Sequence, residues 1–268
     1  MKSLVNQHSY HKIIFHSLRG GLCNRLRALS ACLCVSKFLD IPLEICWQPH
    51  ESCNCYFDDI YEKPTKNNVK FTSPETINLT SHESDVIYVN QMKGEDFFYD
   101  SYLRNIVDKK DFDVEYIQCV RSFKIKPNLL TQIEGFSNQF GFDEKILGVH
   151  IRRTDHINYI KLRNLESRFS SDEKFINTIE REISEGYSKI FLATDNELSK
   201  KMIFKNFSGQ TISYCEQFSD DYQRHTSVED AVIDIYLLSR CQKIIGTYGS
   251  SFSKYAALLG NIPLVYPK

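Results

Sequence analysis

The 268-residue chain has no apolar run approaching the ~20 residues that cross a bilayer as a helix. Its opening MKSLVNQHSYHK lacks the apolar core of a signal peptide, which predicts a chain made and kept in the cytosol. It has no excess charge of either sign. Lysine and arginine number 33 against 34 for aspartate and glutamate, a formal net charge of −1. No global field draws nucleic acid, although net charge does not exclude a local basic site. Neither H-E-x-x-H nor G-x-S-x-G occurs, so the zincin and serine-hydrolase signatures are absent. The dinucleotide fingerprint and the phosphate-binding P-loop are missing too.

Cysteine is plentiful, but the nine residues are odd in number and irregularly spaced. A disulfide framework is not expected, and a chain this long needs none. Cys46, His50, Cys53 and Cys55 are metal-ligand types, but their C-x3-H-x2-C-x-C spacing lacks the paired clips of usual zinc sites. They read as a loop with fortuitous thiols. Asp111-Phe112-Asp113 resembles a D-x-D metal pair, yet it sits among Lys109, Lys110 and Glu115 rather than after an apolar strand. No metal site is predicted.

What is present is β/α alternation in two stretches joined near residues 122–143. Two domains are expected, 1–125 and 126–268. In the first, the strand Ile13-Ile14-Phe15 leads through Arg19-Gly20-Gly21 into a helix over about Arg25 to Leu39. Leu22, Leu26, Leu29 and Leu33 fall on one face of that helix. Leu43 to Trp47 and Val86 to Val89 read as further strands, with a turn-rich stretch between them. The second domain is more regular. Strands are predicted over Ile146–Ile151, Lys189–Ala193, Thr211–Tyr214, Lys243–Gly246 and Ile262–Tyr266. Helices are predicted from a capping box at Ser170–Glu173 to Glu185, over Glu197–Phe204, from a Ser227 cap to Ser239, and from Ser250 to a stop at Gly260. The class is α/β, with a doubly wound, mainly parallel sheet in the carboxyl-terminal domain.

Ligands of such sheets bind beyond the carboxyl ends of the strands. Arg152 and Arg153 follow the first strand of the second domain, flanked by His150 and Asp155. Guanidinium forks match phosphate oxygens, so this strand end is expected to grip phosphate; a pair of ion-pairing surface arginines is the other reading. Asp195, after the next strand, is either a helix cap or an acceptor for a sugar or ribose hydroxyl. Ser250, Ser251 and Phe252 open a helix whose free amides suit an anion, with Gly249 allowing close approach; a plain serine cap is the other reading. Asp234 sits at the edge of an apolar helix stripe, where a carboxylate needs a partner. Guanine offers two adjacent donors to such a group; an internal salt bridge is the other option. In the first domain, Gly21 and Asn24 present amides toward an interdomain cleft.

Together these pieces resemble the GT-B-fold fucosyltransferase superfamily, which includes nodulation-type and core α1,6-, α1,2- and protein O-fucosyltransferases. The resemblance rests on His150-Ile151-Arg152-Arg153-Thr154-Asp155, on Phe191 to Asn196, on Asp234-Ile235-Tyr236 through Ser250-Ser251-Phe252, and on the amino-terminal Gly-Gly-Leu-Cys-Asn-Arg-Leu-Arg run. It implies a GT-B-like fold, two Rossmann-like domains facing a cleft, with 1–125 on the acceptor side and 126–268 binding the nucleotide sugar, and a metal-independent, inverting transfer of fucose from GDP-fucose to a glycan hydroxyl. It implies no cofactor. Arg152 would meet the β-phosphate, His150 and Asp234 the guanine, Ser250 to Phe252 the phosphates, and Asn24 the donor near its phosphates. Asp155 is the nearest candidate base, or else orients Arg152 or Arg153; Glu95 and Asp96 are further bases. The competing readings are a transferase using another GDP- or UDP-sugar, and a non-catalytic protein that binds a nucleotide sugar or glycan. The Golgi members' membrane anchor is not seen, which fits a bacterial- or viral-type soluble enzyme.

Overall fold

The computed structural model describes residues 10–65, 68–77, 85–90, 92–142, 145–215, 218–219 and 226–268. The chain forms two compact units, Met1–Ile125 and Lys126–Lys268.

In the first unit, β1 (Lys12–Ser17), α1 (Leu22–Leu39) and β2 (Leu43–Trp47) are followed by the short α2 (Phe57–Ile60), β3 (Val69–Phe71) and β4 (Val86–Val89). Then come α3 (Glu95–Phe98) and α4 (Lys109–Arg121). The sheet order is β3-β2-β1-β4, parallel throughout. The leucine stripe of α1 is buried as its spacing predicts, and Ala28, Ala31, Cys32, Cys34 and Val35 are buried too, so the helix is covered on more than one face. The strand β3 and the helix α2 lie in the stretch that the sequence presents only as turns. At three and four residues they are too short to show a period.

The second unit opens with α5 (Pro127–Phe140), β5 (Ile146–Ile151), α6 (His156–Leu162) and α7 (Asp172–Ser184). It continues with β6 (Lys189–Thr194), α8 (Glu197–Asn206), β7 (Thr211–Ile212), α9 (Val228–Ser239), β8 (Lys243–Ile245), α10 (Ser251–Gly260) and β9 (Leu264–Val265). Its parallel sheet runs β7-β6-β5-β8-β9. Strand β5 alternates faces. Leu147, Val149 and Ile151 join Phe175 and Ile179 of α7 and Ile203 of α8 in one apolar core. On the other face Gly148 lies against Leu238 and Cys241, and His150 reaches Ser253 of α10. The chain winds from β5 outward to β7, then returns to β8 on the opposite side. The switch point therefore lies between the ends of β5 and β8, where open α/β sheets bind ligands.

Four local expectations are corrected. The cap of α7 is Ser171, whose hydroxyl accepts from Lys174 N, so no Ser170–Glu173 box forms; Ser170 is buried. Helix α6 occupies a stretch for which no element is expected. The last strand is two residues, Leu264–Val265, and starts only after Pro263, which has no N–H to give a ladder. Finally, Gly260 is the last residue of α10, and the left-handed cap is Asn261 at φ 55°. Gly260 serves close packing: a Cβ there would lie 2.1 Å from the Ser239 carbonyl oxygen. Gly260→Ala is accordingly expected to destabilise the unit by about 1–3 kcal/mol, as overpacking does. Thermal unfolding would check this, with Gly135→Ala as a control because no atom lies within 4 Å of a Cβ there.

Candidate functional site

Two strand ends are stitched together at the switch point. The Thr247 hydroxyl accepts from Arg152 N at 2.9 Å and donates to the His150 carbonyl at 3.0 Å. It extends the β5–β8 ladder by one side-chain rung and fixes where Arg152 leaves the sheet. Sequence alone singles out the Thr247–Phe252 run but not this rung, because it depends on β5 and β8 being neighbours.

Two adjacent arginines diverge from this point. Arg152 forms a fork with Asp155: Nε and Nη2 donate to Oδ1 at 3.0 and 2.6 Å, and Nη2 to Oδ2 at 2.7 Å. Its side chain keeps 14% exposure and that of Asp155 38%, so the pair lies at the solvent boundary. Arg153 is buried. It donates to Asp172 Oδ1 at 2.6 Å, and its guanidinium lies over the rings of Phe169 and Phe175. Its contacts are those of a scaffold arginine. Asp195 is occupied as well: Oδ1 accepts from Arg153 N at 2.8 Å and Oδ2 from the Thr154 hydroxyl at 2.6 Å. The cap of α8 is Asn196, accepting from Ser199 N, rather than Asp195. Asp195 thus pins the loop that carries both arginines.

His150 is buried, with Nδ1 2.7 Å from the Ser253 hydroxyl and its ring stacked on Phe252 at 4.6 Å and 13°. Burial, and then the positive charges of Arg152, His156 and Arg153, push its pKa down to about 3. The imidazole is therefore neutral at physiological pH and offers hydrogen bonds and a ring face rather than charge.

At the start of α10, Ser250 caps the helix and its hydroxyl accepts from Phe252 N. Gly249 takes φ 75°, so its role is the left-handed turn that delivers Ser250 and Ser251. Arg168 is a contributor with no sequence signal. Its guanidinium lies over the Tyr248 ring and hydrogen-bonds the Tyr248 hydroxyl, which brings another cation to the loop after β8.

Asp234 is 4% exposed, on α9. Its Oδ1 has no hydrogen-bond partner among the described residues, and no ion pair there answers the carboxylate. Burial, reinforced by nearby Asp230 and opposed by Lys200, raises its pKa well above the ordinary carboxylate range. A buried carboxylate oxygen without a donor costs stability, and a ligand bearing N–H groups would satisfy it.

In the first unit, Gly21 is the cap residue of α1 and Asn24 is half-buried in its first turn. Arg25 beside them is fully buried. It donates to the carbonyls of Gly20 and Gln48 at 2.8 and 2.5 Å, lies over Trp47, and leaves Nη2 without a partner among the described residues. Glu95 is taken up by Arg27 at 2.6 Å, and Asp96 pairs with Lys109 at 3.0 Å. Cys46, His50, Cys53 and Cys55 do not gather as ligands. His50 Nδ1 meets Ser52, Cys53 and Cys55 face each other with sulfurs 3.9 Å apart, and Cys46 is buried in β2. Asp113 pairs with Lys109 on the surface of α4. No helix among the described residues is long and apolar enough to cross a membrane.

A parallel sheet with cationic strand ends at its switch point defines an α/β protein of the Rossmann kind. A family model for α-(1,6)-fucosyltransferase N- and catalytic domains matches residues 115–257, more than half of the chain. The chain belongs to that fucosyltransferase family and is a glycosyltransferase. The fold is GT-B. The crystal structure of NodZ α-1,6-fucosyltransferase soaked with GDP-fucose is similar at TM-score 0.65 and 15% identity, over 93% of this chain and 92% of that one. NodZ from Bradyrhizobium aligns at TM-score 0.62 and 17% identity, over 93% of both chains. POFUT1 in complex with GDP aligns at TM-score 0.59 and 11% identity, over 97% of this chain and 99% of that one.

Proposed function

We propose that this chain transfers fucose from GDP-fucose to a hydroxyl of a glycan acceptor, with inversion at the anomeric carbon and without a metal ion. The observation that carries the donor reading is the buried Asp234 carboxylate oxygen without a donor. Guanine supplies two adjacent N–H donors that such a carboxylate accepts. Structures of NodZ and POFUT1 with GDP-fucose support the choice of sugar nucleotide.

In this reading the acceptor oxygen attacks the anomeric carbon from the face opposite GDP. The new C–O bond forms as the bond to the β-phosphate oxygen breaks, through an oxocarbenium-like transition state. GDP departs with added negative charge, and the hydroxyl proton passes to a base or to water. Arg152, locked by Asp155 and by the Thr247 rung, is the fixed cation that meets the departing charge. Ser250, Ser251 and the amides at the start of α10 hold the phosphates, and Phe252 with His150 forms a flat wall for the donor. Arg153 and Asp195 shape the loop. Asp155 acts through Arg152, as a positioning residue, because both of its oxygens accept from that guanidinium.

A thermal-shift panel of GDP-fucose, GDP-mannose, UDP-glucose and UDP-N-acetylglucosamine tests the donor. Stabilisation by GDP-sugars and none by UDP-sugars is expected, with transfer from GDP-fucose alone; a UDP-sugar response of equal size would overturn it. Since arginine and backbone amides supply the charge, transfer in excess EDTA is expected to equal that in added magnesium. Loss of turnover in EDTA, restored by a divalent cation, would remove metal independence from the mechanism.

A further inference from the structure

Helix α6 follows the arginine strand end directly and has two faces. His156 and Ile160, one turn apart, are buried and hold it to the fold. Ile157, Asn158, Lys161 and Leu162 are exposed on the other side. Leu162 is 82% exposed, the most exposed large apolar side chain among the described residues, and Ile157 joins it on the same helix. A single exposed leucine is ordinary; the surroundings of this one are not. Lys161 and Arg163 flank it, and Arg168 is exposed after the next turn. Glu166 is the one carboxylate between residues 156 and 168, so positive charge is in local excess in a chain whose formal net charge is −1. Leu198 on α8 is a contrast. It is 74% exposed, but the neighbouring Glu197 already pairs with Lys201 at 2.7 Å.

The segment is held in place. After Leu162 the chain turns through Asn164 at φ 51°, and Leu165 N donates to the Ile160 carbonyl at 3.0 Å. Arg168 lies over the Tyr248 ring and hydrogen-bonds its hydroxyl. Leucine and cations are therefore presented together on a fixed turn. An acidic glycan would answer the cations but leave a branched aliphatic side chain in water. An apolar protein groove would answer Leu162 but desolvate the cations around it. The surface of an anionic bilayer answers both, because headgroup phosphates meet lysine and arginine while the leucine enters the acyl boundary. The long stems of Lys161 and Arg163 suit that boundary, since they lie along apolar surface and keep their charge among the headgroups.

We propose that α6 and the turn after it form a peripheral docking element for an anionic membrane surface, with Leu162 inserted and Lys161, Arg163 and Arg168 at the headgroups. The element lies on the bilayer and does not cross it. Docking does not rest on the transferase reading above.

The test is co-sedimentation of the full chain with vesicles of phosphatidylcholine alone and of phosphatidylcholine with phosphatidylglycerol in equal parts. The chain is expected to pellet with the anionic vesicles, to stay in solution with the neutral ones, and to be released by high salt, where the Debye length falls to about 3 Å at 1 M. Leu162→Ser should weaken binding about tenfold, the scale of one buried leucine side chain. Lys161→Ala should weaken it about fivefold, the scale of one cation near a charged surface. Leu198→Ser should bind like the parent, and all three variants should keep the parent's GDP-fucose thermal shift. Absence of binding to anionic vesicles, equal binding to neutral ones, unaltered binding in both α6 variants, or an equal loss in Leu198→Ser would overturn the docking element. Retention by soluble polygalacturonate rather than by vesicles, independent of Leu162, would assign the cations to an acidic glycan and overturn it too. A chain that docks on anionic vesicles but shows no GDP-fucose shift keeps this inference and loses the donor reading; the converse result keeps the donor reading and loses docking.

Discussion

Arg152→Ala is expected to lower kcat/KM for fucose transfer by about 10²–10³, the loss of ~2.7–4 kcal/mol that follows removal of one preorganised donor from a developing anion. The folded state should barely notice. Arg152 and Asp155 form an ion pair at the solvent boundary, and such pairs contribute ~0–1 kcal/mol. Turnover and thermal unfolding measured on the same preparation separate chemistry from folding. Arg152→Lys keeps the charge but not the planar fork, so it should recover only a small part of the rate. Near-parent turnover in a folded Arg152→Ala would sink the assignment. The companion variant Asp155→Asn separates two roles. As the partner that orients Arg152, Asp155 should lower kcat when amidated and leave the shape of the pH profile intact. As a base, its loss would erase the acidic limb of that profile.

Two adjacent arginines directly after an apolar strand, with His150 and Asp155 beside them, marked a candidate phosphate site in the sequence. They did not say which arginine stays at the solvent boundary. That depends on Asp172, nineteen residues on, and on the rings of Phe169 and Phe175, which together draw Arg153 inward. The long elements were legible for the same kind of reason. The α1 leucine stripe and the fully apolar β5 carry periodicity that outlasts local noise, whereas β3, β7 and β9, at three, two and two residues, carry none. The Ser170 cap and the Gly260 stop were one residue from Ser171 and Asn261. Propensity places a cap only approximately, and packing of Gly260 against Ser239 decided the rest. Asp195 illustrates a different limit. Its position after a strand fits a cap or a ligand contact equally, and only the fold shows both oxygens taken by the arginine loop.

Asp234→Asn is expected to weaken GDP binding by roughly 10²–10⁴ while making the unliganded chain more stable. Two hydrogen bonds to a charged acceptor contribute about 1.5–3 kcal/mol each, and an amide in that place sets a donor against the guanine donors. Stability moves the other way because the parent buries a carboxylate oxygen that no described group satisfies. The pH dependence gives the sign. Burial raises the folded-state pKa of Asp234 above its unfolded value. Between the two values the folded chain holds more protons than the unfolded one, so stability falls as pH rises from about 4 toward the raised folded pKa and is level beyond it. Asp234→Asn should remove that slope. In the proposed reading guanine meets the ionised carboxylate, so GDP affinity should rise with pH across the same window and binding should release a proton. Calorimetry of GDP binding in two buffers of different ionisation enthalpy would show this as a buffer-dependent heat in the parent that is absent from the variant. A heat independent of buffer below the raised pKa, or unchanged GDP affinity in Asp234→Asn, would remove guanine from the role assigned to this carboxylate.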